Sequence, residues 1–329
     1  MSPVVNFFRR QRLDGAGLRL FFAADIHGND VCWRKFLNAA HFYEVRALVM
    51  GGDLCGKALV PVVANHQGHS AHVGGEIRRA NTPEELEQLE RAIRMNGFYP
   101  WRASPEMVEE LRQHEELRAQ IFERVIVEDF RRWIGLADAK LASTEVRAYV
   151  IPGNDDPWSI DQLLEGSPAV VPCDGRITRI GTHELLSFAW SNRTPWNSYR
   201  ELDEDDLYRR LRTLSDRLET PQTAIFNVHV PPFDSGLDMA PELDQTLRPV
   251  LGGGQPRMIP VGSKAVRQII EEVQPLLTLH GHIHESQGIK RIGRTVAINP
   301  GSEHNSGRLL GCIVALDKTQ VRMHQLVAG

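Results

Sequence analysis

Leu18-Arg19-Leu20-Phe21-Phe22-Ala23-Ala24-Asp25-Ile26-His27-Gly28-Asn29 decides how the rest of the chain is read. The first seven residues are an apolar run of strand length, and the run empties into a carboxylate and an imidazole two positions apart. Residues two apart on an extended chain project to one side, so Asp25 and His27 are expected to face the same way. Asp30 to His41 has helical spacing, with Val31, Phe36 and Leu37 as its apolar positions. Arg46-Ala47-Leu48-Val49-Met50 is a second buried strand and ends in Gly51-Gly52-Asp53. Strand, helix, strand is a βαβ unit, and its polar residues lie at the carboxyl ends of the strands, where open α/β sheets build their sites.

The same pattern returns further along the chain. Val146 to Ile151 ends in Pro152-Gly153-Asn154-Asp155-Asp156, and Thr223 to Val228 ends in His229. Pro275 to Leu279 ends in His280-Gly281-His282-Ile283-His284, where His282 and His284 repeat the two-residue spacing and Ile283 is expected to point into the core. Short strands are expected near Gly175 to Ile180 and Glu184 to Trp190, and helices from Glu204 to Leu218 and Ser263 to Val273. Thr295 to Ile298 leads into Asn299-Pro300-Gly301-Ser302, and a hairpin around Asp317-Lys318 closes the chain.

Residues 56–145 interrupt this rhythm. The part up to Gly75 carries His66, His69 and His72 among small residues and reads as a solvated loop. Thr82-Pro83 and Ser104-Pro105 are helix starts, each a capping side chain before a proline. Apolar rows at four-residue spacing, such as Leu117, Ile121 and Val125, give the long segment to Ile134 one buried face. We read 1–329 as a single domain with a mainly helical insertion at about 56–145; the insertion could cover the site or form the contact of a homo-oligomer, against simple packing on the body as the alternative.

The chain has 329 residues, 42% of them hydrophobic and 24% charged, with a net charge of -4, an ordinary globular composition without a general nucleic-acid or membrane-surface signal. Its 4 cysteines, Cys32, Cys55, Cys173 and Cys312, form no C-x-x-C pair and suit a reducing compartment. Residues 1–17 read as a short leader without the apolar core of a signal peptide, so a cytoplasmic location is expected.

Five strand ends thus supply Asp25 with His27, Asp53, Asn154, His229, and His282 with His284. Two aspartates, an amide oxygen and four imidazoles suit first-row divalent ions, and they are too many for one. They suit two ions about 3.5–4 Å apart that share a carboxylate.

D-x-H, G-G-D, G-N-D, a lone histidine before a loop, and G-H-x-H, in this order, resemble the calcineurin-like metallophosphoesterase superfamily. The resemblance covers most of residues 18–304 outside the insertion. It implies an α/β fold, a four-layer α/β/β/α sandwich of two mixed sheets, here with a helical insertion. It also implies that one metal is held by Asp25, His27, Asp53 and His284, and the other by Asp53, Asn154, His229 and His282. Asp53 and Asn154 would be central to catalysis. The expected cofactors are two divalent ions, manganese first, with iron, zinc, nickel and cobalt as alternatives. The implied activity is hydrolysis of a small phosphodiester or nucleotide-like phosphate ester by a hydroxide bridging the metals. A phosphomonoesterase, or a metal-stabilised protein-binding scaffold with little turnover, is the alternative.

One position departs from the superfamily's pattern, which has G-N-H where this chain has Gly153-Asn154-Asp155. The usual histidine contacts the phosphate and protonates the leaving oxygen. Asp155 would repel a phosphoryl group when ionised and could act as the proton donor when protonated. Asn29 and Arg193 are candidate phosphate contacts, against a turn residue and a surface ion pair as alternatives. Trp196 could stack on a ring or simply pack. His280 reads as structural, and Gly252-Gly253-Gly254 lacks the P-loop form.

Overall fold

The computed structural model describes residues 17–329. The leader read over residues 1–17 therefore lies, apart from Gly17, outside the described residues. The chain opens with β1 (Leu18–Ala23), α1 (Asp30–Phe42) and β2 (Ala47–Met50). The insertion contributes β3 (Leu59–Asn65), β4 (Gly68–Val73), β5 (Glu76–Ala80), α2 (Pro83–Arg94), β6 (Tyr99–Ala103), α3 (Pro105–Gln113) and α4 (Glu115–Leu141). Then follow β7 (Arg147–Val150), β8 (Val170–Pro172), β9 (Arg176–Ile180), β10 (His183–Phe188), α5 (Glu204–Ser215) and β11 (Ile225–Val228). The chain ends with α6 (Lys264–Val273), β12 (Leu277–Leu279), β13 (Gly288–Ile292), β14 (Thr295–Asn299), β15 (Leu310–Leu316) and β16 (Val321–Ala328).

Two mixed six-stranded sheets form the body, ordered β16-β15-β1-β2-β7-β8 and β13-β14-β12-β11-β10-β9. β1, β2, β7 and β8 run parallel, as do β10, β11, β12 and β14, while β15 and β16 in the first sheet and the edge strands β9 and β13 in the second pair antiparallel. The alternation in Leu20-Phe21-Phe22-Ala23 makes the layers. Leu20 and Phe22 enter a core between the sheets, with Val49, Leu185, Ile225, Leu277, Leu279 and Ile298. Phe21 and Ala23 face the other way, into a core roofed by α1 and α4 through Trp33, Phe36, Phe130 and Trp133. On the far side of the second sheet, Leu186, Phe188, Phe226 and Val228 meet α5 and α6. The result is the expected α/β/β/α sandwich. Burying strands on both faces is the reason they read as continuous apolar runs.

Register places the site. Ala23 lies opposite Met50 and Met50 opposite Val150 in one sheet, and Asn227 opposite Leu279 in the other, so the ligand-bearing ends of each sheet lie level.

The insertion corrects one expectation. Residues 56–75 are not a loop: β3 and β4 form a hairpin, and with β5 and β6 they make a four-stranded sheet. Val62, Ala71, Val73 and Ala80 line one face of it and pack on Leu86, Leu89 and Ile93 of α2. In β4 the buried positions are Ala71 and Val73, small or single, between polar residues, so the alternation is faint in sequence. The long helical segment breaks at His114 into α3 and α4. α4 docks on α1 through the stacked indoles of Trp33 and Trp133, centroids 5.2 Å apart. No helix among the described residues is long and apolar enough to cross a membrane.

Candidate metal centre

The candidate ligands do not sit on strands. β1 stops at Ala23 and β12 at Leu279, and Asp25, His27 and His282 have positive φ values of 55°, 40° and 67°, as does Asp53 at 50°. Each such conformation costs a non-glycine residue of order 1–3 kcal/mol and persists only where surroundings enforce it. So the two-residue spacing works through tight turns just past the strand ends, not through strand alternation.

The enforcement is visible. Strand-like bonding continues past β1 and β2, with the amides of Asp25, His27 and Gly28 donating to the carbonyls of Gly52, Asp53 and Leu54 at 2.9, 3.0 and 2.7 Å. The His282 amide donates to both carboxylate oxygens of Asp25 at 2.9 and 3.0 Å, which joins the two sheets. Asp156, fully buried, accepts from the amides of Leu54, Cys55 and Gly153 and so ties the G-G-D turn to the G-N-D turn. Two glycines are required by close approach. A Cβ at Gly153 would lie 2.0 Å from Asp53 Oδ1, and one at Gly281 2.2 Å from Asp25 Oδ2.

These loops bring six of the seven expected ligands into two groups that could each hold a metal ion: Asp25, His27, Asp53 and His284, and Asp53, His229 and His282. Asn154, the seventh, brings its Oδ1 to 2.9 Å from His229 Nε2. The shared residue is Asp53. Its Oδ2 lies 3.6 Å from His27 Nε2 and its Oδ1 lies 3.5 Å from His229 Nε2, so the two oxygens face different groups. His27 Nε2 and His284 Nε2 stand 3.0 Å apart. Buried imidazole and carboxylate atoms converging on common points fit cations as their occupants.

The protonation pattern follows from crowding. Burial, and then the neighbouring imidazoles of His284 and His229, push His27 well below its ordinary value and His282 down to about 3. Burial opposes protonation of His229 too, but the Asp53 carboxylate overrides it and raises the group to about 9. Burial raises Asp53 itself to about 6. The outer atoms of the ligands are also held: His229 Nδ1 bonds the Gly51 carbonyl at 2.7 Å, and Asn154 Nδ2 donates to Ser198 Oγ at 2.7 Å, leaving Nε2 and Oδ1 turned inward.

His304 was not singled out from sequence, yet it forms a third group with His27 and His284, its ring centroids 4.5 and 5.4 Å from theirs. Ser302 Oγ, 3.1 Å from its Nδ1, orients it, and the same hydroxyl donates to the Asp25 carbonyl. The only sequence hint was its place just past Asn299-Pro300-Gly301-Ser302. His280 is fully buried, held through Nδ1 at the carbonyls of Val228 and Val230, and lies outside all three groups.

Both candidate phosphate contacts, Asn29 and Arg193, have partners within the protein. Asn29 caps α1: its Oδ1 accepts from the amides of Val31 and Cys32, and its Nδ2 donates to the carbonyls of Met95 and His304. All its hydrogen-bonding capacity is spent on structure. Arg193 is exposed and pairs with Asp203 at 3.0 Å. Asp155 does not stand alone. Its Oδ1 accepts from Asn154 Nδ2 at 3.1 Å, and its Oδ2 forms an ion pair with Lys57 Nζ, so the position expected to meet a phosphoryl group as a bare acid already holds a cation.

No family model matches the chain. Over 161 residues, 48% of this chain, it is 30% identical to the uncharacterized protein MJ1162 of Methanocaldococcus jannaschii, and the match spans 65% of that relative's length, just under two thirds. Its fold is similar to the crystal structure of TT1561 of Thermus thermophilus, with a TM-score of 0.51 at 13% identity, covering 95% of this chain and 98% of that one. A further solved structure is similar with a TM-score of 0.53 at 15% identity, covering 94% and 98%. At these identities the likeness is one of fold.

Proposed function

We propose that this chain is a dinuclear metal-dependent phosphoesterase acting on a small phosphodiester or nucleotide-like ester, with a phosphomonoester as the nearest rival. The observation that carries this reading is Asp53, whose two oxygens face two separate histidine groups across a buried cluster. Asp25, His27, Asp53 and His284 would hold one ion, and Asp53, Asn154, His229 and His282 the other. When bound, two such ions supply charge neutralisation of the phosphoryl group, a lowered pKa for an attacking water and in-line alignment.

The chain's own part is positioning. The positive-φ turns aim the side chains before any ion arrives. The Gly51 carbonyl, accepting from His229 Nδ1, orients the ring so that Nε2 is the nitrogen that would meet an ion once its proton has left. Asp156 keeps the Asp53 and Asn154 turns in one register.

The test is to load the protein with manganese and assay bis-p-nitrophenyl phosphate, p-nitrophenyl phosphate and cyclic nucleotides, with Asp53→Asn as control. Metal-dependent hydrolysis lost in Asp53→Asn is expected. Hydrolysis that persists in that variant overturns the dinuclear reading. Failure of the metal-loaded protein to cleave any ester favours a binding scaffold.

A further inference from the structure

We propose that Lys57 takes the phosphoryl oxygen that the metal ions leave over, and that Asp155 holds its ammonium ready for that task. The inference rests on the phosphoesterase reading above. Lys57 is the first residue beyond a tightly pinned segment. Leu54 and Cys55 are bonded through their amides to Asp156, and the Gly56 amide donates to Tyr99 Oη at 2.8 Å. From that fixed base the side chain reaches Asp155, whose own amide donates to Asp53 Oδ1 at 3.1 Å. The pair thus stands beside the shared carboxylate. The ammonium lies near enough for the carboxylates of Asp155, Asp53 and Asp25 to raise it against the opposing effect of burial, and it acts in turn on His27 and His304. The Lys57 side chain is 59% exposed, so it can leave Asp155 for a ligand without unfolding anything.

The chemistry assigns it a selective role. A phosphomonoester dianion presents three charged non-bridging oxygens, whereas a diester presents two and an uncharged ester oxygen. If cations held on the two sides of Asp53 met two of these oxygens, the third would fall beside Asp155, whose amide is bonded to Asp53 Oδ1. A charged oxygen there is repelled by the carboxylate unless Lys57 meets it, and an ester oxygen needs no such help. Lys57 therefore governs access of monoesters more than of diesters.

The experiment compares manganese-loaded wild type, Lys57→Met, Lys57→Arg and the double variant Lys57→Met/Asp155→Asn. It reads kcat and KM on p-nitrophenyl phosphate and bis-p-nitrophenyl phosphate, and orthophosphate binding by calorimetry. Lys57→Met should raise KM for the monoester by about 10–100-fold with kcat little changed, and alter the diester by less than about threefold. Lys57→Arg should restore most of the loss, and removing Asp155 as well should recover monoester affinity because the repelling charge has gone. Equal losses on both esters, or none on either, would overturn the proposal. If wild type hydrolyses esters while Lys57→Met binds orthophosphate as tightly, the Lys57 role fails and the phosphoesterase reading stands. If wild type cleaves nothing yet binds orthophosphate through Lys57, the phosphoesterase reading fails and the Lys57 role stands. Neither cleavage nor binding by wild type overturns both.

Discussion

The floor of the candidate site and its rim are built by different rules. On the floor, Asp25, His27, Asp53 and His229 are at most 2% exposed, the first three sit on positive-φ turns, and the Asp25 carboxylate ties its sheet to the other through the His282 amide. On the rim, Trp196 is 64% exposed and Arg193 holds only a surface carboxylate. A buried polar cluster must be satisfied atom by atom, so the floor tolerates little change. The rim is solvated and can vary, which is where substrate choice is free to be set. If this contrast is right, equal chemical changes should have very unequal effects in the two places.

The largest effect should come from Asp53→Asn. One oxygen of the shared carboxylate becomes an amide, and one of the two groups loses an anionic ligand. Several kcal/mol of charge stabilisation are at stake, so metal-dependent turnover should fall by roughly 10³-fold. The number of bound ions per chain, counted by elemental analysis, should drop below that of wild type. Unchanged stoichiometry would show that Asp53 is not shared.

Gly153→Ala tests the floor without touching a ligand. The added methyl group has only 2.0 Å to Asp53 Oδ1 and must displace it. We expect about 1–3 kcal/mol of destabilisation in chemical unfolding. Metal affinity, read by calorimetric titration, should weaken by about 10–100-fold, the usual cost of disturbing a ligand's support. Wild-type affinity in this variant would mean that the floor is softer than its bonding suggests.

The contrast also explains what could be read from the chain alone. Asp25, His27, Asp53, Asn154, His229, His282 and His284 were legible because each follows an apolar run, and strand ends are where chemistry gathers in such sheets. The sandwich was legible through the continuous apolar strands. The local geometry was not: strand alternation was invoked, whereas positive-φ turns aim the side chains. His304 and Lys57 escaped notice because their roles come from loops meeting across the fold, and such meetings leave no local pattern. The partners of Asn29 escaped notice for the same reason: Met95 and His304 come from the end of the insertion and from near the chain's end. β3 to β5 were missed because a small sheet covered on one face by α2 needs few large apolar residues.

A carboxylate away from the site gives an intermediate effect. Asp30, under the insertion, is bonded by Arg34 at 2.8 Å, Arg132 at 2.7 Å and the Trp133 indole at 2.9 Å. Burial opposes its ionisation, but Arg34 and Arg132 pull its pKa below the ordinary 3.8. A group depressed in the folded state adds stability above its unfolded pKa and loses it as pH falls through the folded value. Asp30→Asn should therefore cost about 1–3 kcal/mol at neutral pH, and the gap to wild type should close below about pH 4. A gap that stays constant with pH would assign the cost to packing.

The smallest effect should come from Arg193→Ala on the rim. Its guanidinium and Asp203 are both more than half exposed, and a pair of that kind contributes about 0.2–1 kcal/mol and fades with salt. Melting temperature should move by no more than a few degrees at low ionic strength and less at high. Turnover should stay within about twofold of wild type, because the side chain is already engaged away from the buried cluster. A KM rise of tenfold or more would show that Arg193 leaves Asp203 when substrate binds. The rim would then have to be redrawn as a mobile part of the site, and the difference between floor and rim would become one of timing: ligands aimed before binding, against groups recruited by it.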